Sequence, residues 1–591
     1  MQDPKRHYTS QISTCQEQLS AVKSSLFTSS MLRLVLFLVG IAGIYFLWSI
    51  PKVVIGIVVV EIILFLVLVS RHSNLQYKRD FLQQLIKLNE TELKVLNRDF
   101  YDLPDGEMYK NPLHPFSLDI DLFGRGSFFQ YINRSSLQSG ERKLAQILTE
   151  NSITEIPQKQ QAIQELAKKA DWRQKYQATA ALVKTNNSTE SILKWLNDYK
   201  PFVPQVMKWV PNIFSAASLT IMVSVYLDLI PDSILIWWFF LGLFLSGIYV
   251  KKINALWENS SKTQTTFEQY YKLMLLLEEQ EFSSEVLKRE KEKIKSQKEK
   301  ASAVIKQFSK MLGVLDQRSN MLVGVLINSL FLSDLRQCYR IEKWIEANAD
   351  EVANWFDVIA FFDAQNSLGN FSFNHPNYVF SKITNEKHTL IANDLAHPLL
   401  DPRKAVANDF HINNQQFFII TGANMAGKST FLRTVSLSIV MSNVGLPVVA
   451  SEAKYTPIKL ITSMRTSDSL TDDESYFFSE LKRLQFIVNA IKTDTYFIIL
   501  DEILKGTNST DKAIGSRKFI EKLVASNSTG IIATHDLSLC EAADVLEDVK
   551  NYYFDAQIKN DELFFDYTFK KGICQNMNAS FLLRKMNIID S

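Results

Sequence analysis

The sequence predicts a multidomain chain that combines two hairpins of transmembrane helices, an all-α region and a C-terminal α/β domain. Four apolar runs occur in two pairs, within residues 31–70 and 212–250. From about residue 386, short apolar strands alternate with helices and with turns rich in Gly, Asn and Asp, which is typical of an α/β fold. The length of 591 residues also exceeds what one hydrophobic core accommodates.

The composition excludes several classes of protein. The 65 Lys and Arg residues nearly balance the 63 Asp and Glu residues, so the chain as a whole lacks the basic field of many nucleic-acid-binding proteins. A hydrophobic share of 46% excludes a disordered chain. Cys15, Cys338, Cys540 and Cys574 lie far apart with no CxxC pair, so we expect a reducing compartment and neither a zinc site nor a disulfide framework.

The first apolar pair, residues 31–50 and 53–70, is predicted to span a membrane as a helical hairpin. Each run is about as long as a helix must be to cross roughly 30 Å of hydrocarbon, and Pro51 and Lys52 form the turn. Residues 1–30 are predicted as a cytoplasmic helix that leads into the first span. A cleaved signal peptide is not expected, because the first run continues directly into a second one.

The second pair, residues 212–230 and 234–250, is predicted as a second transmembrane hairpin. Its first member carries several polar residues, so a buried hairpin of a soluble core is the alternative. Lys and Arg flank the long loops rather than the short turns, which predicts a multi-pass membrane protein with four spans. The N-terminus, residues 71–211 and everything after residue 252 would be cytoplasmic.

Glu61 lies in the middle of the second predicted span. An ionisable group at this depth is costly unless it is paired, so it marks a functional or helix-contact position. A polar partner in a helix interface is the favoured interpretation, and a proton or ion path is the alternative.

The parts between and after the hairpins are predicted to be mainly helical up to residue 385. We divide them into a helix and linker (71–118), a first part of a helical core and lever (119–211) and a second part (251–385). Residues 287–306 carry many charges of both signs, which is typical of a solvated lever or coiled-coil face. A DNA-contacting arm is the alternative.

A phosphate-binding loop is predicted in the C-terminal domain, residues 386–591. An apolar strand at 416–420 runs into a G-x-x-x-x-G-K-S motif at 422–429, and a helix follows. Backbone N–H groups of such a loop surround phosphates, the lysine reaches the β and γ phosphates, and the serine hydroxyl ligates Mg²⁺. The predicted nucleotide-binding residues are Gly422, Asn424, Gly427, Lys428, Ser429 and Thr430.

Two further strands end in residues that suit phosphate chemistry. The strand at 496–500 ends in Asp501, which would hold Mg²⁺ together with Ser429, and in Glu502, which would polarise the attacking water. A mere turn or cap is the alternative for this pair. The strand at 530–534 is followed by His535, a candidate γ-phosphate sensor, because ligands bind at the carboxyl ends of parallel strands. The predicted cofactors are Mg²⁺ and a nucleoside triphosphate.

Four segments of the C-terminal domain resemble, in order and spacing, the ATPase domain of the MutS family, which implies a P-loop NTPase fold of ABC type. Residues 119–148 and 159–166 resemble, more loosely, the opening of that family's helical core and lever domain. The four segments are TGANMAGKST (421–430), DESYFFSE (473–480), LDEILKGTNSTD (500–511) and ATHD (533–536).

The resemblance implies a homodimer with composite sites. Ser475 would act in trans on the γ phosphate bound by the other subunit, whereas on its own it would be read as a helix N-cap. Phe477 and Glu480 match the flanking signature positions. The loop after the second motif, with Gly506, Thr507, Asn508 and Ser509, would contact the partner's site.

The sequence also departs from the family pattern. Only about thirty residues precede the first span, so we expect no mismatch-reading domain and doubt true mismatch recognition. Ala423 and Ala426 replace the usual Pro and Gly of the loop, and Leu504 and Lys505 replace the usual Gly-Arg.

The leading functional hypothesis is a membrane-anchored MutS-like ATPase in which ATP-driven closure of a dimer moves helical levers, acting on DNA or on a nucleoprotein. A transporter-type ATPase is the second hypothesis, although four spans and the absence of an LSGGQ-like signature disfavour it. A nucleotide-switched membrane scaffold that binds no DNA is the third.

Overall fold

The protein is described by a computed structural model that covers residues 3–183, 188–295, 299–316, 318, 321–465, 476–504, 509–559 and 562–575. The helices of the first, mostly helical part are α1 (Pro4–Phe46), α2 (Pro51–Leu96), α3 (Phe128–Ile132), α4 (Gln138–Thr149), α5 (Ile156–Lys168), α6 (Ala170–Ala181), α7 (Thr189–Asn197), α8 (Val210–Tyr226), α9 (Asp232–Gly247), α10 (Val250–Glu279), α11 (Glu285–Glu292), α12 (Ala301–Asp316), α13 (Met321–Phe331) and α14 (Ser333–Asn374). The α/β part contains strands β1 (Lys382–Ile383), β2 (His388–Leu395), β3 (Asn408–Asn413), β4 (Phe417–Gly422), β5 (Glu452–Tyr455), β6 (Lys459–Ser463), β7 (Tyr496–Asp501), β8 (Thr529–Ala533), β9 (Val549–Phe554), β10 (Ala556–Lys559), β11 (Glu562–Phe565) and β12 (Lys570–Lys571). Its helices are α15 (Lys428–Val444), α16 (Tyr476–Ala490), α17 (Ser509–Val524) and α18 (Ala542–Val545).

The first apolar pair forms an antiparallel hairpin of two long helices, α1 with 43 residues and α2 with 46. The carboxylate of Asp3 caps α1 by accepting a hydrogen bond from the Lys5 N–H. Both helices are long and apolar enough to cross a membrane. The predicted helix over residues 1–30 is the first part of α1, and α2 continues beyond its apolar run to Leu96.

Glu61 lies at a helix contact within this hairpin. Gly40 faces it on α1, and a Cβ atom added to Gly40 would lie only 1.8 Å from Oε2 of Glu61. The glycine therefore makes the room that the carboxylate occupies, which agrees with the helix-contact interpretation of Glu61.

The second apolar pair differs from the predicted hairpin of two spans. Helices α8 and α9 have 17 and 16 residues, fewer than the roughly 20 that a perpendicular span needs. Helix α9 and helix α10 are bent by 67° at their junction, and only this bent pair taken as one unit adds a third candidate span. By length and composition, the described residues thus contain two candidate spans, or three with the bent pair, and the four predicted spans are not confirmed.

A third apolar helix, α13, packs against α8 and α9. The sequence analysis placed this segment in the lever region and did not single it out. The backbone of Ser329 on α13 approaches Gly242 on α9 so closely that a Cβ there would collide with it. Trp238 on α9 donates a 2.7 Å hydrogen bond to the buried Ser218 hydroxyl on α8. We call α8, α9 and α13 the second apolar unit.

The charged run at residues 287–306 includes the end of one helix and the start of the next. Helix α11 ends at Glu292 and α12 begins only at Ala301. The apolar side chains of Leu287, Ile294 and Ile305 are buried in the helical core. Most of the described charged side chains, including Lys288, Lys295 and Lys306, are exposed, so the segment has a solvated charged face and a buried apolar face.

Helix α14 connects the second apolar unit to the α/β domain. Its 42 residues extend about 63 Å at 1.5 Å per residue. Near its start, the Arg336 guanidinium donates to the Ser215 hydroxyl on α8. At its end, the Asn374 amide accepts from the Tyr8 hydroxyl of α1 and donates to the Glu92 carboxylate of α2.

The C-terminal domain has the predicted α/β architecture. Its larger sheet has six strands in the order β12-β9-β4-β8-β7-β6, and a second sheet has the order β1-β5-β2-β3. Strand β8 pairs in parallel with both β4 and β7. The carboxyl ends of these three strands therefore lie side by side at one edge of the sheet, where ligands bind in such folds.

The helical part docks on this domain through a buried carboxylate. Asp119 is 5% exposed, and it accepts hydrogen bonds from the Thr462 hydroxyl and from the Arg465 N–H. Asp121 forms a two-pronged ion pair with the Arg465 guanidinium. Arg433, on α15, donates to the Asp119 carbonyl. The helix that begins at Lys428 is thus directly tied to the helical part.

Candidate nucleotide-binding site

The G-x-x-x-x-G-K-S segment forms a tight loop between β4 and α15. Gly422 and Gly427 have positive φ values of 150° and 105°, and a Cβ on Gly422 would lie 2.6 Å from the Phe554 carbonyl oxygen. Both positions therefore favour glycine. Ala423 and Ala426 do not have positive φ, so the loop tolerates these departures from the family pattern without backbone strain.

Lys428 is the first residue of α15, and its side chain points back into the loop. It is only 6% exposed, and its Nζ donates to the carbonyls of Gly422 (2.7 Å) and Ala423 (3.1 Å). Burial lowers the pKa of Lys428, while the carboxylates of Asp501 and Glu502 oppose this shift. The ammonium group is thus held at the N-terminus of a helix, where the helix dipole adds positive potential.

Ser429 and Asp501 supply an oxygen pair suited to Mg²⁺. The Ser429 hydroxyl donates a 2.9 Å hydrogen bond to Oδ2 of Asp501, although the residues are 72 positions apart. Mg²⁺ is commonly held by only one or two protein oxygens, together with water and phosphate oxygens. A hydroxyl and a carboxylate beside the phosphate loop therefore fit this ion. Among the described residues, no cluster of three His, Cys, Asp or Glu offers a different metal site.

Glu502 and His535 interact at the ends of β7 and β8. Oε1 of Glu502 lies 2.8 Å from Nε2 of His535, and the same ring nitrogen lies 3.4 Å from Nζ of Lys428. Glu502 and Leu504 have positive φ values of 54° and 58°. Such strained backbone in non-glycine residues is typical of functional sites. Here it turns the Glu502 side chain toward the imidazole.

Helix α16 is connected to this strained turn. Its Glu480 is 3% exposed and accepts a hydrogen bond from the Leu504 N–H, while Phe477 packs against the neighbouring apolar core. The part of segment 473–480 that lies on α16 is thus hydrogen-bonded to the turn that follows β7. Ser475 and the loop residues Gly506, Thr507 and Asn508, as well as the Ser509 side chain, lie outside the described residues, so their roles stay predictions.

A cavity of about 600 Å³ brings the predicted residues together. It is lined by Asn424, Gly427, Lys428, Ser429, Thr430, Asp501, Glu502 and His535. Gly422 lies behind the loop, where its carbonyl receives the Lys428 ammonium. The arrangement can bind a polyphosphate, hold a divalent cation and present a carboxylate to a water molecule.

The opposite wall of the cavity was not predicted as part of the site. It comes from the connection between β2 and β3, which includes His397 and Val406, and from Tyr567 near the end of the described chain. No sequence pattern marked Tyr567 as a site residue. Burial lowers the pKa of His397 to about 4, so this imidazole is neutral at pH 7. An apolar and aromatic wall suits a nucleotide base.

Comparison with known proteins identifies the domain that carries this cavity. Residues 418–585 match the family model described as MutS domain V. MutS protein homolog 4 of Homo sapiens is 31% identical over 194 residues, which are 31% of this chain and 20% of that protein. The DNA mismatch repair protein MutS of Methanococcoides burtonii is 31% identical over 234 residues, 38% of this chain and 26% of that protein.

DNA mismatch repair protein MSH4 of Arabidopsis thaliana is 28% identical over 197 residues, 32% of this chain and 24% of that protein. The chain thus matches only about a fifth to a quarter of the length of these relatives. The matched part contains the phosphate loop, Asp501, Glu502 and His535, which form the cavity. The C-terminal domain of this chain is therefore identified as a MutS domain V, the domain that it shares with these MutS proteins.

Proposed function

We propose that this protein is a membrane-anchored, mismatch-repair-related ATPase of the MutS family. One observation carries the ATPase proposal: Lys428 and Ser429 of the phosphate loop share a cavity with Asp501, Glu502 and His535 from the two neighbouring strands. Three separate segments thus supply a phosphate-binding cation, a Mg²⁺ ligand pair and a candidate general base.

Each residue has a chemical task in this proposal. Loop N–H groups and Lys428 bind the phosphates of ATP, while Ser429 and Asp501 hold Mg²⁺, which neutralises phosphate charge. Glu502 accepts the proton of the attacking water, and His535 orients the Glu502 carboxylate through their 2.8 Å contact. Val406 and Tyr567 would contact the base.

The test is to measure ATP binding and hydrolysis separately with the full chain in detergent. Glu502→Gln should keep ATP binding and lower hydrolysis by roughly 100-fold or more, because it removes the proton acceptor. Lys428→Ala should abolish both. Lys522→Ala, which removes an exposed lysine at the end of α17, is the matched control and should change neither. Unchanged hydrolysis in Glu502→Gln would refute the assignment.

We also propose a homodimer with composite sites. Helices α16 and α17 belong to the domain that contains the cavity, and α16 overlaps the segment 473–480. These helices expose the apolar side chains of Phe478, Leu481 and Ile514. Exposed apolar surface of this kind marks interfaces. Ser475 would complete the partner's site. Leu481→Asp should therefore lower the ATP-dependent dimer fraction in native mass spectrometry, and Ser475→Ala should slow hydrolysis without weakening ATP binding.

Membrane anchoring is supported by the exposed apolar surfaces of α1 and α2. We propose that these helices span the membrane, that α8 and α9 enter the same membrane as a second hairpin, and that the N-terminus and domain V are cytoplasmic. All described cysteines are buried. A cysteine introduced at Asp232 should thus react with an impermeant thiol reagent from outside, whereas one at Lys522 should react only after permeabilisation. Equal labelling would refute this topology.

The proposed mechanism is that ATP-driven closure of the dimer moves the helical levers relative to the bilayer. Two continuous connections support it: α14 links the second apolar unit to domain V, and Arg433 and Asp119 link α15 to the helical part. Distance labels on α14 and in the membrane should report a change between ADP and ATP in the Glu502→Gln protein. ATP hydrolysis without any such change would contradict the lever.

DNA is the proposed substrate because relatives of domain V carry the names of DNA mismatch repair proteins. The ATPase rate should be measured with duplex, branched and single-stranded DNA at two salt concentrations, with Lys428→Ala as the blank. Stimulation that weakens with salt would support phosphate contacts. Indifference to every DNA would favour the alternatives, a nucleotide-switched scaffold or a transporter, and solute uptake into vesicles would separate these two.

A further inference from the structure

A small cavity lies between α1 and α2 where both helices reach their apolar runs. Its volume is about 130 Å³, several times the roughly 30 Å³ that a water molecule occupies in the liquid. No acidic residue lines it. The lining residues are Ser24, Ser25, Thr28, Ser29, Leu32, Leu68 and Arg71. Because they come from both helices, a ligand here would contact the hairpin on both sides. We call this cavity the hairpin cavity.

One hydroxyl of the hairpin cavity is buried without a partner. Ser29 is 3% exposed, and its Oγ has no hydrogen-bond partner among the described residues. The neighbouring hydroxyls of Ser25 and Thr28 instead donate to carbonyls one turn earlier in α1. A buried hydroxyl without a partner costs about 1 to 3 kcal/mol. An acceptor oxygen supplied by a ligand would remove this cost.

Positive charge converges on the same level of the hairpin. The Arg71 side chain lines the cavity and has no ion pair in the described part of the chain. Arg33 lies one turn beyond Ser29 on the same face of α1, and its buried Nε has no partner, like Nδ1 of His72. Desolvation and the charge of Arg33, and to a smaller extent that of Arg79, lower the pKa of His72, so the field of Arg33 reaches the residue next to Arg71.

We propose that the hairpin cavity binds the phosphate of an anionic phospholipid headgroup. Arg71 and the Ser29 hydroxyl would donate to phosphate oxygens, as arginine and hydroxyl groups do in phosphate sites. The inference rests on the proposed insertion of α1 and α2 in a membrane.

The surroundings favour a lipid over a free phosphate ion. Leu32 and Leu68 form an apolar side of the cavity. Beyond them, α1 and α2 expose a continuous apolar surface toward their connection, including Val35, Leu38 and Leu64. A headgroup bound by Arg71 would thus leave its acyl chains beside this surface, at the depth where basic residues attract anionic lipids.

The experiment compares lipid retention by the full chain and its variants. Protein is reconstituted into nanodiscs of phosphatidylcholine containing a minority of phosphatidylglycerol, and the lipids that remain bound after transfer to detergent are counted by native mass spectrometry. The wild-type chain should retain phosphatidylglycerol over phosphatidylcholine. Arg71→Gln should reduce this preference by about tenfold, since it removes a charge-assisted hydrogen bond.

Ser29→Ala tests the buried hydroxyl with little risk to folding, and it should reduce the preference by about three- to fivefold. Lys78→Gln removes the same charge from an exposed position of α2 outside the cavity, and Ser20→Ala removes an exposed hydroxyl of α1. Both controls should change the preference by less than about twofold, because exposed charges away from the site are screened.

The outcomes separate this proposal from the membrane proposal. Equal retention of the two lipids by the wild-type chain, or an unchanged preference in Arg71→Gln, would refute the headgroup site. If the hairpin still resists extraction by alkaline carbonate, the membrane proposal stands. Release of the bound lipid by inorganic phosphate alone would show that the hairpin cavity is a general anion site. This result would refute the assignment of a lipid as its ligand. Extraction of the wild-type chain by carbonate would instead refute the membrane anchor itself.

Discussion

Nε of Arg134 lies 2.5 Å from Oε1 of Glu92, and both side chains are almost completely buried. The other oxygen of Glu92 accepts from Asn374, which in turn accepts from the Tyr8 hydroxyl. This network joins α1 and α2 of the apolar hairpin to the end of α14. It therefore fixes the hairpin to the helical core immediately before the chain enters domain V.

Breaking this ion pair should strongly weaken the attachment of the hairpin. Glu92→Ala leaves the Arg134 guanidinium buried without its counter-charge, which costs about 3 to 5 kcal/mol. Hydrogen exchange of the amides of α2 should report this loss. Glu190→Ala, which removes the partner of the exposed Arg142, is the matched control and should cost less than about 1 kcal/mol. Similar effects of the two variants would contradict a special role for the buried pair.

Asp119 and Asp121 should differ in their contribution to the docking of domain V. Asp119→Ala removes the acceptor of the Arg465 N–H and leaves the Thr462 hydroxyl only its 3.4 Å contact to the Pro115 carbonyl, which costs about 1 to 3 kcal/mol, and more for a charged acceptor. Asp121→Ala removes two partly exposed ion pairs, with Arg465 and at 3.5 Å with Arg433, each worth about 1 kcal/mol or less. Hydrogen exchange of the β6 amides measures the loss of stability in both variants. A larger effect of Asp121→Ala would show that the exposed pairs dominate the interface.

Gly40→Ala should destabilise the apolar hairpin because the new methyl group would occupy the space of the Glu61 carboxylate. The displaced atoms are the end of a flexible side chain, so we expect a cost at or below about 1 kcal/mol, the low end of the range for overpacking. Gly56→Ala is the control within the partner helix, since no atom lies within 4 Å of a Cβ built there. Thermal unfolding in detergent should show a lower midpoint for Gly40→Ala only. Rescue of Gly40→Ala by Glu61→Ala would confirm the contact.

Asp363 should make the stability of the helical core fall as the pH rises. Burial raises the pKa of this carboxyl from 3.8 to about 7, although N–H groups of Leu137 and Ser136 donate to it and oppose the shift. The folded state therefore keeps the proton up to about pH 7, whereas the unfolded state loses it near pH 3.8. The contribution of Asp363 to the free energy of unfolding is fully present below pH 3.8 and is lost progressively between pH 3.8 and about pH 7.

The slope in that pH window should be at most about 1.4 kcal/mol per pH unit. Hydrogen exchange of α4 and α14, corrected for intrinsic rates, measures it. Asp363→Asn cannot titrate but keeps an oxygen that accepts from both N–H groups. The free energy of unfolding of this variant should therefore depend much less on pH. Asp350→Asn, an exposed substitution on the same helix, should retain the slope. A pH-independent wild-type core would contradict the raised pKa.

The sequence by itself determined the α/β domain and the predicted members of its site. Apolar strands at 416–420, 496–500 and 530–534 each end in the residues that the motifs mark, and parallel strands must bring those ends to one edge of a sheet. Local pattern was sufficient here because strand, loop and helix follow one another within a few residues. The same holds for α1 and α2, since runs without charge are recognisable from sequence alone.

Tertiary structure alone decided how distant segments meet. The packing of α13 on α8 and α9, the Glu92–Arg134 pair and the entry of Tyr567 into the cavity depend on contacts between residues far apart in the chain. Short apolar helices such as α8 have no sequence signal that tells a membrane span from a packed helix, because burial in protein and burial in lipid favour the same side chains. Only the tertiary structure gives the length of these helices, the bend between α9 and α10 and the packing of α13 against them.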